Sequence, residues 1–213
     1  MRLRNVKNAY EQLHAHPEWI VLNPRAEKGH WSQVFGNDHP IRLEIGCGKG
    51  KFLIDMAELF PQYNYIGIEK FDSVLVRALQ RVLKDPRSNL RLIRADAVDL
   101  TDLFSYGEIA EIYLNFSDPW PKPAHAKRRL TSPQFLERYL QILPIGRPIY
   151  FKTDNFPLFL SSMMSIVDAG MSIGRISLDL HQEIGFPNVE TEFETKFVAM
   201  GKPIYYLHAT FKG

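Results

Sequence analysis

A chain of 213 residues, 45% hydrophobic and 23% charged, is long enough for one substantial core and has the composition of an ordinary globular protein. No apolar run approaches the ~20 residues of a membrane helix and MRLRNVKN lacks a signal-peptide apolar centre, which excludes a spanning or secreted class and predicts a cytoplasmic one. A formal net charge of +2 and one cysteine, Cys47, exclude a uniformly basic nucleic-acid coat and an internal disulfide, so any nucleic-acid site must come from clustered charges.

Residues 1–40 read as an N-terminal basic extension of one domain spanning 1–213. Arg2, Arg4 and Lys7 stand near the start, and Pro24, Gly29, Gly36 and Pro40 break any long periodicity. Such a segment is either a basic arm that orders on nucleic acid or a partly packed extension, and the residues favour the second.

Ile41, Leu43 and Ile45 alternate with Arg42 and Glu44, predicting a short buried strand that runs into Gly46, Gly48 and Gly50. Phe52, Leu53, Met56, Ala57 and Phe60 then recur with helical period. Strand, glycine turn and helix make a nucleotide-type site at the carboxyl edge of a parallel sheet. The glycines are spaced G-x-G-x-G, whereas a dinucleotide fingerprint is G-x-G-x-x-G, shaped for a pyrophosphate. Glu44 beside this loop would repel phosphate but suits ammonium or sulfonium charge. S-adenosylmethionine, a nucleoside with a positive sulfur and no phosphate, is such a ligand; the alternative is a glycine-rich turn beside a solvated Glu, and the downstream residues decide between them. Cys47, with no adjacent base, reads as a small filler.

A second strand over 63–68 ends at Glu69, about 20 positions past the loop, where two carboxylate oxygens can accept from both ribose hydroxyls. A helix with Val74, Leu75, Ala78, Leu79 and Val82 on one face follows. A third strand over 90–95 stops at Asp96, which either accepts from an adenine amino group or caps the next short turn. The fourth strand, 109–115, delivers Asn115-Phe116-Ser117-Asp118-Pro119-Trp120-Pro121-Lys122. Two prolines stiffen this turn, and a carboxylate beside an aromatic ring suits a flat, polar substrate such as a nucleobase. Lys122, His125, Lys127, Arg128 and Arg129 follow without an acid between them, a spacing that fits phosphate positioning. The histidines show no ligand spacing, and no metal is expected.

Ser132-Pro133 predicts a helix start, with Phe135, Leu136, Tyr139, Leu140 and Leu143 as the buried face. A fifth strand, 149–153, ends at Asp154-Asn155 on the same edge. Phe159, Leu160, Met163, Met164 and Val167 predict another amphipathic helix, with the Met pair in the core. A sixth strand lies within 171–180 and a seventh over 204–211. Between them Thr191 and Glu194 form a capping box.

EIGCGKGKF, YIGIEK, YLNFSDPWPK, HAKRRL, FKTDN and TEFETKF together resemble the bacterial tRNA (guanine-N7)-methyltransferases, from about residue 23 to the last strand. The resemblance implies an α/β, Rossmann-like class I methyltransferase fold, with a seven-stranded, mostly parallel sheet, its last strand antiparallel and helices on both faces. It implies methyl transfer from S-adenosylmethionine to N7 of a guanine in the tRNA variable loop. Glu44, Gly46, Gly48, Glu69, Asp96, Asn115 and Asp118 would contact the cofactor, with Asp118 also the catalytic residue. Lys122, Asp154, Thr191, Glu192, Phe193 and Glu194 would contact substrate. Ala124, His125, Ala126, Lys127, Arg128 and Arg129 would lie against RNA. Ala126 and the loop around Phe186-Pro187 depart from the family pattern. The partner is tRNA, with no membrane, and the chain would act as monomer or homodimer. The rival readings are an exocyclic-amine methyltransferase on RNA or DNA, a catalytically idle RNA-binding module and, most weakly, an NAD-dependent oxidoreductase.

Overall fold

The computed structural model describes residues 6–213, so Arg2 and Arg4 lie outside the described residues. The described chain forms a seven-stranded sheet from β1 (Ile41–Ile45), β2 (Asn64–Glu69), β3 (Leu90–Arg94), β4 (Ile109–Asn115), β5 (Pro148–Thr153), β6 (Ser172–Ser177) and β7 (Tyr205–Thr210). Its order is β3-β2-β1-β4-β5-β7-β6. β7 is antiparallel to both β5 and β6, and the other neighbours pair in parallel. The chain starts mid-sheet at β1, steps outward to β3 and returns to the other side at β4. That reversal opens a crevice between the carboxyl ends of β1 and β4, where α/β sheets bind ligands.

Helices α1 (Ala9–His14), α2 (Trp31–Phe35), α3 (Lys51–Leu59), α4 (Asp72–Lys84), α5 (Leu100–Leu103), α6 (Pro133–Leu140), α7 (Phe156–Asp168) and α8 (Glu192–Ala199) surround the sheet. Strand alternation divides them between its faces. Ile41, Leu43 and Ile45 point into a core built with α2, α5, α6 and α7. The opposite face packs on α1, α3 and α4 through Phe52, Leu53, Leu75 and Leu79. Glu44, which alternates with the β1 apolar residues, therefore faces the α3 side.

The extension packs more fully than a loose appendage. Trp31 is completely buried and donates from Nε1 to the Leu103 carbonyl at 2.9 Å. Ile20 bridges to Leu92 at the β3 edge. Burying an indole this large is favourable once its N–H has a partner, so 19–35 is held by the core.

Two helices differ from expectation. In α7 the buried residues are Leu158, Phe159, Ser162 and Ile166, while Met164 is 60% exposed. Its apolar band is wider than one face, so periodicity alone places the stripe wrongly. Pro133 does open α6, but Ser132 supplies no side-chain cap because its hydroxyl donates to the Lys127 carbonyl at 3.0 Å.

Gly67 in β2 shows how tightly the loop is seated. A Cβ there would overlap Leu53 Cδ1 and lie 2.9 Å from Cys47 Sγ, and both neighbours are buried. Gly67→Ala is expected to cost about 1–3 kcal/mol, read as a lower urea midpoint at unchanged slope. An unchanged midpoint contradicts this packing.

Candidate active site at the carboxyl edge of the sheet

After β1 the chain folds across the end of β2, where the amides of Gly46 and Cys47 both donate to the Ile68 carbonyl, at 2.8 and 3.0 Å. Gly46, Gly48 and Gly50 take φ values of 77°, 58° and 75°, a left-handed backbone that side-chain-bearing residues adopt only at a cost. The loop then opens directly into α3. Burial pushes the Cys47 thiol well up, consistent with a filler and not a nucleophile.

Glu44 lies under this loop, only 3% exposed. Its Oε1 accepts from Asn115 Nδ2 at 2.9 Å, while its Oε2 is buried without a partner among the described residues. Burial pushes its carboxyl up to about 8, against the opposing effects of Asn115 and nearby Lys152 and with a further push from Glu69. A buried, half-satisfied carboxylate is costly unless a cation or donor arrives to complete it.

Glu69 ends β2 with its carboxylate accepting from the amides of Gly48 (3.3 Å) and Phe71 (3.0 Å). Burial raises it, outweighing those donors, and Asp118 close by adds to the rise. Glu44, Glu69 and Asp118 thus share one electrostatic neighbourhood. Asp96 stands further along the edge. It caps the turn at Ala97–Asp99 by accepting from the Val98 amide at 3.2 Å and pairs with Lys70 at 2.5 Å. Partial burial raises its carboxyl, but Lys70 and the turn amides outweigh that and hold it low.

The turn after β4 is strained. Phe116 and Trp120 take φ values of 51° and 40°, a conformation that costs a bulky residue about 1–3 kcal/mol and clusters at functional sites. Asp118 is exposed at its tip. Phe116 packs against Phe197 of α8, ring centres 5.8 Å apart. Trp120 is half-buried, with the Arg128 guanidinium 4.9 Å from its ring centre and the His125 ring edge-on at 5.7 Å. Among the basic residues, Lys122, Lys127 and Arg128 are exposed, as is Ala124, while His125 and Ala126 are half-buried. Arg129 differs from the expected RNA contact: it turns inward and bonds to protein.

A cleft of about 780 Å³ lies between the glycine loop, α4 and the start of α8, a size suited to a small ligand. Glu44, Gly46, Gly48, Asn115, Thr191, Glu192 and Phe193 line it. The capping box forms: Thr191 Oγ1 accepts from the Glu194 amide at 3.0 Å, and the Glu194 carboxylate accepts in return from the Thr191 amide. Glu192 spans the cleft wall to Arg81 (2.7 Å) and Lys49 (3.5 Å).

Like Thr191 and Glu192, the expected substrate contacts Asp154 and Glu194 are already engaged with protein partners. Asp154 pairs with Lys202 at 2.7 Å. Glu194 is fully buried, its oxygens taken by Lys152 (3.0 Å), His181 (3.0 Å) and Asn188 (2.6 Å). Lys152 also holds Asn188 and the Val189 carbonyl, and burial pushes its ammonium down despite Glu194. Sequence reasoning assigned no role to Lys152, His181 or Asn188. The one available signal was a lysine placed inside the apolar strand IYFKT.

The chain is similar to known proteins in sequence and in fold. Residues 38–207 match a family described as "Putative methyltransferase". A tRNA (guanine-N(7)-)-methyltransferase of Streptococcus sanguinis (strain SK36) is 50% identical over 212 residues, covering 100% of both chains. One of the same name from Lysinibacillus sphaericus (strain C3-41) is 52% identical, covering 99% of this chain and 98% of the relative. Among solved structures, a variant 16S rRNA (adenine(1408)-N(1))-methyltransferase from Catenulisporales acidiphilia, with cosubstrate SAM, superposes with TM-score 0.60 at 13% identity. It covers 90% of this chain and 92% of the other, a likeness of fold.

The buried carboxylate has a measurable signature. The folded protein holds the Glu44 proton up to about pH 8, whereas the unfolded chain releases it near 4.5, so this group makes stability fall as pH rises through that window. Glu44→Gln removes that slope. The ligand-free variant is expected to gain on the parent from about pH 5 to about pH 8, by urea unfolding. A difference that stays constant across this range contradicts the burial argument.

Proposed function

The chain belongs to the family of bacterial tRNA (guanine-N(7)-)-methyltransferases, and from that premise we propose that it transfers a methyl group from S-adenosylmethionine to N7 of guanine in the tRNA variable loop. The observation that carries the reading is a juxtaposition on adjacent strands. β1 presents a buried Glu44 oxygen, without a partner among the described residues, beneath the glycine loop, and β4 leads into the strained turn that carries Asp118.

The residues fit such a cofactor. An orphaned carboxylate oxygen suits a cationic group, and no further acid need be recruited. Gly46 and Gly48 let the ligand lie against the backbone, Glu69 would accept from ribose hydroxyls, and Asp96 from an adenine amino group. When bound, S-adenosylmethionine supplies a methyl group carried on a positively charged sulfur.

Guanine N7 has a free lone pair and no proton, so the chain needs no general base before attack. Its work is alignment. The strained turn would hold Asp118 against the guanine, where a carboxylate binds the N–H edge and favours the positive charge that the ring acquires. Trp120 offers a flat apolar surface beside it, and exposed Lys122, Lys127 and Arg128 would position phosphates. Thr191, Glu192 and Phe193 would form the facing wall of the cleft.

The test is transfer of labelled methyl from S-adenosylmethionine to unmodified tRNA, followed by nucleoside analysis. Label is expected in 7-methylguanosine and lost when the variable-loop guanine is replaced; label on an exocyclic amine, or none with intact tRNA binding, overturns the reading. In the same assay Asp118→Asn is expected to lower turnover about 100-fold or more with tRNA affinity largely kept. Full turnover with unchanged binding removes Asp118 from the mechanism.

A further inference from the structure

Arg129 closes a basic run in which Lys122, Lys127 and Arg128 are exposed, yet its guanidinium is turned into the protein. Nε donates to the Pro119 carbonyl at 3.0 Å and Nη2 to the Trp120 carbonyl at 3.1 Å. Nη1 donates to Ser161 Oγ on α7 at 3.0 Å. Ser161 in turn donates to the Leu158 carbonyl at 3.0 Å, so the hydroxyl is oriented to receive Arg129. One planar group thereby ties two consecutive carbonyls of the strained turn to a helix buried against the sheet.

Those two carbonyls belong to the peptides on either side of the Trp120 α-carbon, the position held in a left-handed conformation. A carbonyl pair held by a rigid fork cannot rotate without losing charge-assisted hydrogen bonds, which are roughly twice as strong as neutral ones. The buried neighbourhood reinforces the tie: Thr131 and Ser162 hydroxyls bond at 2.6 Å just beyond it, joining the same segment to α7.

We propose that Arg129 is a positioning residue that braces the Asp118-Pro119-Trp120 turn from behind and makes no RNA phosphate contact. The inference rests on the reading of Asp118 as the residue facing guanine. It separates the basic run into an outward part that meets RNA, Lys127 and Arg128, and an inward part that shapes the site.

Arg129→Lys tests this, because lysine keeps the charge a phosphate needs but has no fork to span two carbonyls. Turnover at saturating tRNA is expected to fall tenfold or more, with tRNA affinity within twofold and the salt slope unchanged. Lys127→Ala, as comparator, is expected to weaken tRNA binding and lower the salt slope by about one. A second readout needs no activity: among the three tryptophans, the indole N–H resonance of Trp120, assigned with Trp120→Phe, is expected to shift in Arg129→Lys. Those of Trp19 and Trp31 hold still, which reports an intact fold.

Should Arg129→Lys not fold, Ser161→Ala, which removes one anchor, decides the matter through the same Trp120 shift. Retained turnover, an unmoved Trp120 signal and a reduced salt slope in Arg129→Lys overturn the proposal and make Arg129 a phosphate contact. If the parent protein makes no 7-methylguanosine, the functional reading fails while the indole shift still decides whether the brace exists.

Discussion

Taking the Glu44 carboxylate out of water is the constraint from which the site follows. One oxygen is satisfied by Asn115 and the other, beneath a loop of glycines, has no partner among the described residues. Lys152 is near enough to be felt, but its ammonium is committed to Glu194, Asn188 and Val189. Below about pH 8 the ligand-free chain meets that cost by keeping the Glu44 proton, and a cationic ligand would favour the ionised form and release it. The strand order makes the central crevice: β1 and β4 are neighbours although two strands and three helices separate them in sequence.

Around that carboxylate the walls are fixed by long-range contacts. The turn after β4 is held on one side by Phe116 against Phe193 and Phe197 of α8 and on the other by Arg129 against α7. The start of α8 is held by its own capping box and by Glu194 locked onto β5 through Lys152. Strain at Phe116 and Trp120 is therefore sustained by aromatic packing in the cleft wall and by hydrogen bonds behind the turn, the arrangement that lets a site keep its shape before substrate arrives.

Much of this was legible in the sequence where the determinants are local. Alternation around Glu44 announced a buried strand, glycine spacing announced a loop unlike a pyrophosphate cradle, and Thr191 with Glu194 announced a helix start. What escaped depends on partners far along the chain. Trp31 meets Leu103 across 72 positions, and Glu194 meets Lys152 across 42, so neither pairing leaves a local trace. The basic run shows the same limit: charge and spacing treat Arg128 and Arg129 alike, and only the folded backbone turns one to solvent and the other inward. In α7 an apolar band wider than a single face left the buried stripe undetermined.

The central claim is that the Glu44 carboxylate under the glycine loop receives a cationic nucleoside. Calorimetric titration of S-adenosylmethionine into the ligand-free protein tests it most directly, with Glu44→Gln and NAD as the two comparisons. The account predicts saturable binding at one site, weakened tenfold or more by Glu44→Gln, and no binding of NAD. Equal binding by parent and variant, or a preference for NAD, would contradict it.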